Sequence, residues 1–253
     1  MLSNFQIKNL KSLHQKKHRI KREQIVLEGH RLVLQSLILG AKIKKVWVTE
    51  DYLYSMQGRE VKKLLIEKKI VFEKASMESI QRACNSKNSQ GIIALAFCPK
   101  YEPQIKTPNY SIFFDNISDP GNLGTLLRTA NWFGIESIFL SDDCVDVFNS
   151  KVVRSGMGAH FYFKEVHVIS LDEIVNNSDD LLVIVGDLSG KSIDEFSMPR
   201  EKKWILVLGS EAHGISSSIE SLITHRITIS THENMESLNV VAAGAILLHH
   251  FMR

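Results

Sequence analysis

Six short apolar runs, separated by stretches with helical spacing, limit what residues 110–253 can become: Ser111–Asp115, Ser137–Ser141, Val166–Ile169, Leu181–Asp187, Trp204–Gly209 and Arg226–Ser230. Strands that stay apolar instead of alternating are buried on both faces, and helices between them serve as crossovers. The pattern therefore predicts a parallel α/β sheet covered on both sides. In such sheets ligands bind beyond the carboxyl ends of the strands, so the polar residues that follow each run are the ones to inspect.

Residues 1–98 read as a smaller α/β domain. Helices are expected over about 30–39, 61–68 and 77–83, and strands over 44–49, 70–73 and 91–97. Residues 99–109 hold three of the five prolines, Pro99, Pro103 and Pro108. Proline continues neither a helix nor a central strand, so this stretch is read as the linker. The net charge of +3 conceals a division at the same place. Residues 1–100 carry 20 Lys and Arg against 8 Asp and Glu, net +12, whereas residues 101–253 carry 11 against 20, net −9. Seven Lys or Arg and no acid lie between Lys8 and Arg22. This stretch is either a solvated helix or a nucleic-acid contact, and for the latter Lys16, Lys17, Arg19, Lys21 and Arg22 are the candidates.

Several classes are excluded. A chain that is 44% hydrophobic with 5 Pro and 14 Gly is neither disordered nor fibrous. Its longest apolar stretch, Val240 to Leu248, is too short for a bilayer, so no membrane association is expected. The basic N-terminus lacks the apolar region of a secretory signal. Cys84, Cys98 and Cys144 form no CxxC pair, and the ten histidines show no ligand spacing. Reduced thiols, a cytoplasmic location and no metal are expected. GxGxxG, Walker A and G-x-S-x-G signatures are missing.

Three polar segments follow predicted strands. After the first comes Asp119-Pro120-Gly121-Asn122-Leu123-Gly124, with Asn122 as the expected N-cap of a helix that buries Leu123, Leu126, Leu127 and Ala130. Arg128 then lies one turn beyond Gly124 and away from that stripe, with no side chain beneath its guanidinium. Leu208-Gly209-Ser210-Glu211 places a carboxylate in a glycine-bounded turn. Ser237-Leu238-Asn239 precedes a very apolar helix, with Ser237 or Asn239 as its cap. Each segment alone has a bland reading as a cap, a turn or a surface arginine.

Together, Asn122-x-Gly124-x-x-x-Arg128-Thr129-Ala130, Leu208-Gly209-Ser210-Glu211 and Ser237-Leu238-Asn239-Val240 resemble, in order and spacing, the three signature motifs of the SpoU (TrmH-like) RNA 2′-O-ribose methyltransferases of the SPOUT superfamily. Val153-Arg154-Ser155-Gly156-Met157-Gly158-Ala159 resembles the family's mid-domain segment. Val26-Leu27-Glu28-Gly29-His30-Arg31 and Ser89-Gln90-Gly91 resemble its substrate-binding domain. The chain departs from the pattern at Ala212, at Gly156 and at Ser230-Thr231-His232-Glu233, where the family has Pro-Met-x-Gly.

The resemblance implies a C-terminal parallel-sheet domain, residues 110–253, tied in a trefoil knot and binding S-adenosylmethionine around Leu208, Gly209, Ile229 and Leu238. It implies a reaction centre of Asn122, Arg128, Glu211, Ser237 and Asn239, a homodimer, and RNA held by the basic domain with help from Arg154. A ribose 2′-hydroxyl is a weak nucleophile, so a base or a cation must assist it. A guanidinium seldom gives up its proton, which favours Arg128 as a phosphate ligand and alkoxide stabiliser. Ribosomal RNA is the expected substrate; a tRNA 2′-O-methyltransferase and a catalytically silent RNA-binding module remain the alternatives.

Overall fold

The computed structural model describes residues 2–86, 88–102, 109–199, 201–210, 214–230 and 238–253. The chain divides into two compact units, Met1–Lys100 with Asp146–Tyr162, and Tyr101–Val145 with Phe163–Arg253.

The first unit begins with α1 (Asn4–Ser12) and α2 (Lys16–Arg22), followed by β1 (Gln24–Glu28), α3 (His30–Ile38), β2 (Ile43–Val48), α4 (Glu50–Tyr54), α5 (Met56–Glu67), β3 (Phe72–Lys74), α6 (Met77–Ala83) and β4 (Ile92–Phe97). The sheet order is β1-β4-β2-β3; β4 is antiparallel to both neighbours, and β2 and β3 are parallel. The basic N-terminal stretch is better anchored than its charge suggests. Ser3 and Gln6 close a capping box on α1, and Ile7, Leu10 and Leu13 are buried against Val26, Trp47, Ile80 and Ile93. The other face of the sheet buries Ile25, Leu27, Val46 and Val48 under Val33, Leu37 and Leu65.

The second unit opens with β5 (Tyr110–Phe114), α7 (Pro120–Trp132) and β6 (Ser137–Leu140), after which the chain supplies α8 (Ser150–Ser155) to the first unit. Val153 of α8 joins the first unit's core, and a Cβ on Gly158, whose φ is +86°, would stand 2.9 Å from Ser36 Oγ. The second unit continues with β7 (Glu165–Val168), α9 (Leu171–Asn176), β8 (Leu181–Ser192), β9 (Lys203–Leu208), β10 (His225–Thr228) and α10 (Val240–Phe251). Its six strands lie in the order β10-β8-β9-β5-β6-β7, and every neighbouring pair is parallel. One face packs Phe113, Phe139, Val183, Val185, Ile205 and Val207 against Leu171 and Ile174 of α9. The other receives α7 and α10: a Cβ on Gly244 would come within 2.9 Å of Leu208 Cδ1 and 3.0 Å of Leu126 Cδ2, so only glycine lets α10 lie this close.

Two local expectations change. Asp119, not Asn122, caps α7: its Oδ1 accepts from the Asn122 N–H at 2.7 Å, and Pro120 occupies the first turn. An aspartate followed by proline is the stronger start signal, since proline gives up an amide that a helix start leaves unpaired anyway. Strand β8 runs past Asp187 to Ser192, because Lys191 and Ser192 pair with Ile227 and Thr228 after a register shift. A Cβ on Gly190 would lie 2.5 Å from backbone atoms of Arg226 and Ile227, so glycine allows the excursion.

Candidate functional site

The middle of β8, the carboxyl ends of β9 and β10 and the start of α10 surround a pocket of about 330 Å³. Leu208 and Gly209 close β9, Ile229 follows β10, and Leu238 precedes α10; all four expected cofactor residues line this one pocket. Leu208 is 3% exposed and forms part of the core, whereas Leu238 is 47% exposed and offers an apolar wall. Gly209 is tightly enclosed: a Cβ there would sit 2.4 Å from the Gly214 carbonyl oxygen. The Gly214 N–H donates to the Ser210 carbonyl at 2.8 Å.

Asp187 also lines the pocket. Arg226 pairs with it, and the N–H and hydroxyl of Ser189 both donate to Oδ1 at 2.8 Å. Burial works against the charged form of this carboxyl, but the Ser189 and Arg226 donors outweigh it and hold its pKa below the ordinary value. Sequence reasoning did not single out Asp187, although its position at the end of an apolar strand run was the available signal.

A second feature it missed fastens the turn after β9. Asp115, 2% exposed at the end of β5, accepts from Ser216 N–H at 2.6 Å and from Ser216 Oγ at 3.0 Å. Asn116, at a φ of +55°, donates through Nδ2 to Ser216 Oγ at 2.8 Å and through its N–H to Ser141 Oγ at 2.9 Å. Asparagine is among the few side chains that accept this left-handed geometry readily.

Of the expected reaction-centre residues, Asn122 is half-buried in the first turn of α7, and Arg128 is exposed one turn beyond the buried Gly124. Asn239 caps α10, its Oδ1 accepting from the Val241 N–H at 3.0 Å. Glu211 and Ser237 lie outside the described residues, as do Ala212 and Thr231 to Glu233.

Among the expected RNA contacts, Lys16, Lys17, Lys21 and Arg22 are exposed on α2. Arg19 departs from that expectation. It is 6% exposed, donates to the Leu13 and His14 carbonyls at 3.0 and 2.8 Å, and pairs with Asp146. Its charge is neutralised inside the first unit, where it pins the corner between α1 and α2. Arg154 remains partly exposed, 3.8 Å from the buried Glu28 carboxylate.

Among the described residues no helix is long and apolar enough to cross a membrane, and no group of His, Cys, Asp or Glu is arranged to hold a metal ion.

One unit is a basic α/β domain and the other a six-stranded parallel sheet with a pocket at its strand ends, an architecture of the α/β class in which ligands bind beyond the strands. Sequence comparison gives the family. The model of the SpoU rRNA methylase family matches residues 109–249, and that of the MRM3-like substrate binding domain matches residues 4–94. The chain belongs to the SpoU rRNA methylase family. It is 26% identical over 247 residues to the 23S rRNA (guanosine(2553)-2′-O)-methyltransferase RlmP of Bacillus subtilis, an alignment covering 98% of this chain and 96% of that protein. A solved structure assigned to the TrmH family of RNA methyltransferases, from Porphyromonas gingivalis, superposes with a TM-score of 0.82 at 31% identity, covering 99% of this chain and 98% of the other. The AdoMet-bound rRNA methyltransferase from Sinorhizobium meliloti gives 0.80 at 25% identity, covering 99% and 95%.

Proposed function

We propose that this protein methylates a ribose 2′-hydroxyl of ribosomal RNA, using S-adenosylmethionine held between β8 and the ends of β9 and β10. The observation that carries the reading is the convergence of Leu208 and Gly209 at the end of β9, Ile229 just after β10 and Leu238 just before α10 on one pocket in a chain of the SpoU family. The donor set suits the cofactor. Leu208, Ile229 and Leu238 give apolar walls for a purine ring, and the strand-end backbone gives groups for its edge. Asp187, held by Arg226 and Ser189, is a carboxylate in the same lining that would face a cationic cofactor bound there. When bound, the cofactor supplies an electrophilic methyl group.

Arg128 is the charged group proposed to meet the RNA. A guanidinium keeps its proton, so Arg128 binds the neighbouring phosphate and stabilises the alkoxide that develops as the hydroxyl proton passes to solvent water. Asn122 and Glu211 are proposed to order it. Glu211, Ser237 and Asn239 complete the centre in this proposal. Lys16, Lys17, Lys21, Arg22 and Arg154 would hold the RNA.

The homodimer and the trefoil knot belong to the same proposal. Trp132 of α7 is 85% exposed and Ile246 of α10 41% exposed, although the two helices pack together; a second copy would cover such an apolar patch. The knot is supported by the return of α10 to Leu208, on the central strand β9, after β10 has reached the sheet edge. The proposed location is the cytoplasm, which suits three free cysteines.

The test is methyl transfer to ribosomal RNA by the wild type and by Arg128→Ala and Arg128→Lys. Alanine should lower the rate by about 100- to 1000-fold, the usual loss for one stabilising donor, whereas lysine should retain much of it. Full activity in the alanine variant would refute the role of Arg128. Absence of both S-adenosylmethionine binding and transfer in the wild type would leave a silent RNA-binding module.

A further inference from the structure

We propose that the open half of one sheet face in the first unit, flanked by α1, is a groove that binds unpaired nucleotides of the RNA. The inference rests on the RNA-methylating reading above and adds the place where that RNA is gripped.

Strand register defines the face. Gln24 lies opposite Phe97 and Val26 opposite Leu95 across β1 and β4, while Lys45 lies opposite Leu95 and Trp47 opposite Ile93 across β2 and β4. Side chains directly opposite each other share a face, so these seven residues form one surface. Helices α1 and α6 cover its Val26, Trp47 and Ile93 portion and bury it. Toward Gln24 and Lys45 the cover stops, and a groove of about 680 Å³ opens beside α1. Phe5 of α1 overhangs it at 74% exposure; Phe97, 39% exposed, lies on the same sheet face but outside the groove's lining.

The chemistry of the lining selects the occupant. Gln6, Asn9 and Gln24 supply amide donors and acceptors along the groove, and Arg22, Lys44 and Lys45 supply positive charge. Lys45 is matched by Glu73 at 2.5 Å, but Arg22 is hydrogen-bonded to the neutral Asn9 and Ser12, and Lys44 sits 6.0 Å over the Phe97 ring. Two net cations beside the exposed Phe5 ring and the amides fit a single-stranded segment, with a base stacking on the ring and phosphates meeting the cations. A duplex keeps its base faces stacked internally and would leave Phe5 unused. An acidic peptide would use the cations but not the selectivity of the ring for bases.

The experiment uses the full chain with a labelled single-stranded RNA of about ten nucleotides, a length within the usual footprint of such grooves, and the same sequence as a duplex. Phe5→Ala should weaken single-strand binding by about 5- to 100-fold, the loss of one stacked base, and leave duplex binding unchanged; Phe5→Tyr should retain affinity. Lys44→Ala should weaken binding and reduce the salt slope by about 0.7. Unchanged binding in Phe5→Ala and Lys44→Ala, or equal loss on single strand and duplex, would overturn the groove. So would an acidic peptide competing with the RNA more strongly than unlabelled RNA does. Methyl transfer by the wild type separates the two readings. Transfer without dependence of RNA binding on Phe5 sinks only the groove, and Phe5-dependent binding without transfer sinks only the enzyme.

Discussion

Replacing Ser216 by alanine tests whether the pocket turn is held in place by the end of β5. The hydroxyl donates to Asp115 Oδ1 at 3.0 Å and accepts from Asn116 Nδ2 at 2.8 Å, while the Ser216 N–H continues to reach Asp115 Oδ2 at 2.6 Å. Asn116 is half-buried and can turn to water. Asp115 is 2% exposed and cannot, so one carboxylate oxygen loses its donor inside the protein. A lost hydrogen bond to a charged group typically costs about 1.5 to 3 kcal/mol, and we expect about 2 kcal/mol of stability to disappear. Asp115→Asn keeps the volume but turns one acceptor into a donor facing Ser216, and should cost about 1 to 2 kcal/mol.

The two changes act on the same contact, so their combination should fall short of additivity by about 1 kcal/mol or more. Urea unfolding of the four proteins measures the coupling, and calorimetry with S-adenosylmethionine measures its consequence at the pocket. Since Ser216 anchors the far end of the turn that begins at Gly209, affinity should fall in both single variants. Additive stabilities within about 0.5 kcal/mol, together with unaltered affinity, would refute the view that Asp115 and Ser216 position the turn.

Gly209→Ala should weaken S-adenosylmethionine binding by about 5- to 150-fold, the equivalent of about 1 to 3 kcal/mol of overpacking, because the new Cβ would stand 2.4 Å from the Gly214 carbonyl oxygen; calorimetry showing wild-type affinity would mean that the turn yields freely. His160 predicts a pH dependence: burial drives its pKa from an ordinary 6.5 down to about 4, while its Nε2–H donates to the Val147 carbonyl at 2.8 Å. The unfolded chain therefore binds a proton between those two pH values that the folded chain refuses, so stability is full above pH 6.5 and falls as the pH drops toward 4. The loss should reach about 3 kcal/mol, and urea unfolding of His160→Gln across that window should show a flatter slope; an equal slope would remove His160 as the cause.

What the sequence disclosed follows from the range of the forces involved. Strands β5, β6 and β9 were legible because burial on both faces forces a continuous apolar run, a local signature. The extension of β8 was not, since Ser189 to Ser192 are polar and pair through backbone alone. The start of α7 was misplaced by three residues because Asn122 is a competent cap in isolation, and only the Asp119-Pro120 pair overrides it. The pocket was approached through resemblance in motifs, which named its glycine and apolar members. Asp187 and the Asp115–Ser216 clamp carry no motif, and the clamp joins residues 101 positions apart. Arg19 illustrates the same limit: nothing local distinguishes it from Lys16 or Lys21, and its partner Asp146 is 127 positions away.

That last case changes what the uneven charge means. The net +12 of residues 1–100 is a count of side chains, but RNA responds to cations whose field is not already answered by a nearby carboxylate. Arg19 is matched by Asp146, Lys45 by Glu73, Lys63 by Glu67 and Lys74 by Glu50. These pairs hold the first unit together or lie flat on its surface, and contribute little to attraction at a distance. Asp146 is especially telling, because it comes from the acidic half of the sequence yet folds into the basic unit. Charge division by sequence position and charge division by folded unit are therefore different quantities. Among the cations not answered in this way, Arg22 and Lys44 line the groove beside α1 together with the exposed Phe5, so attraction and stacking can act at the same place. An RNA drawn there by charge would meet the ring that distinguishes an unpaired strand from a duplex, which makes the groove selective as well as sticky.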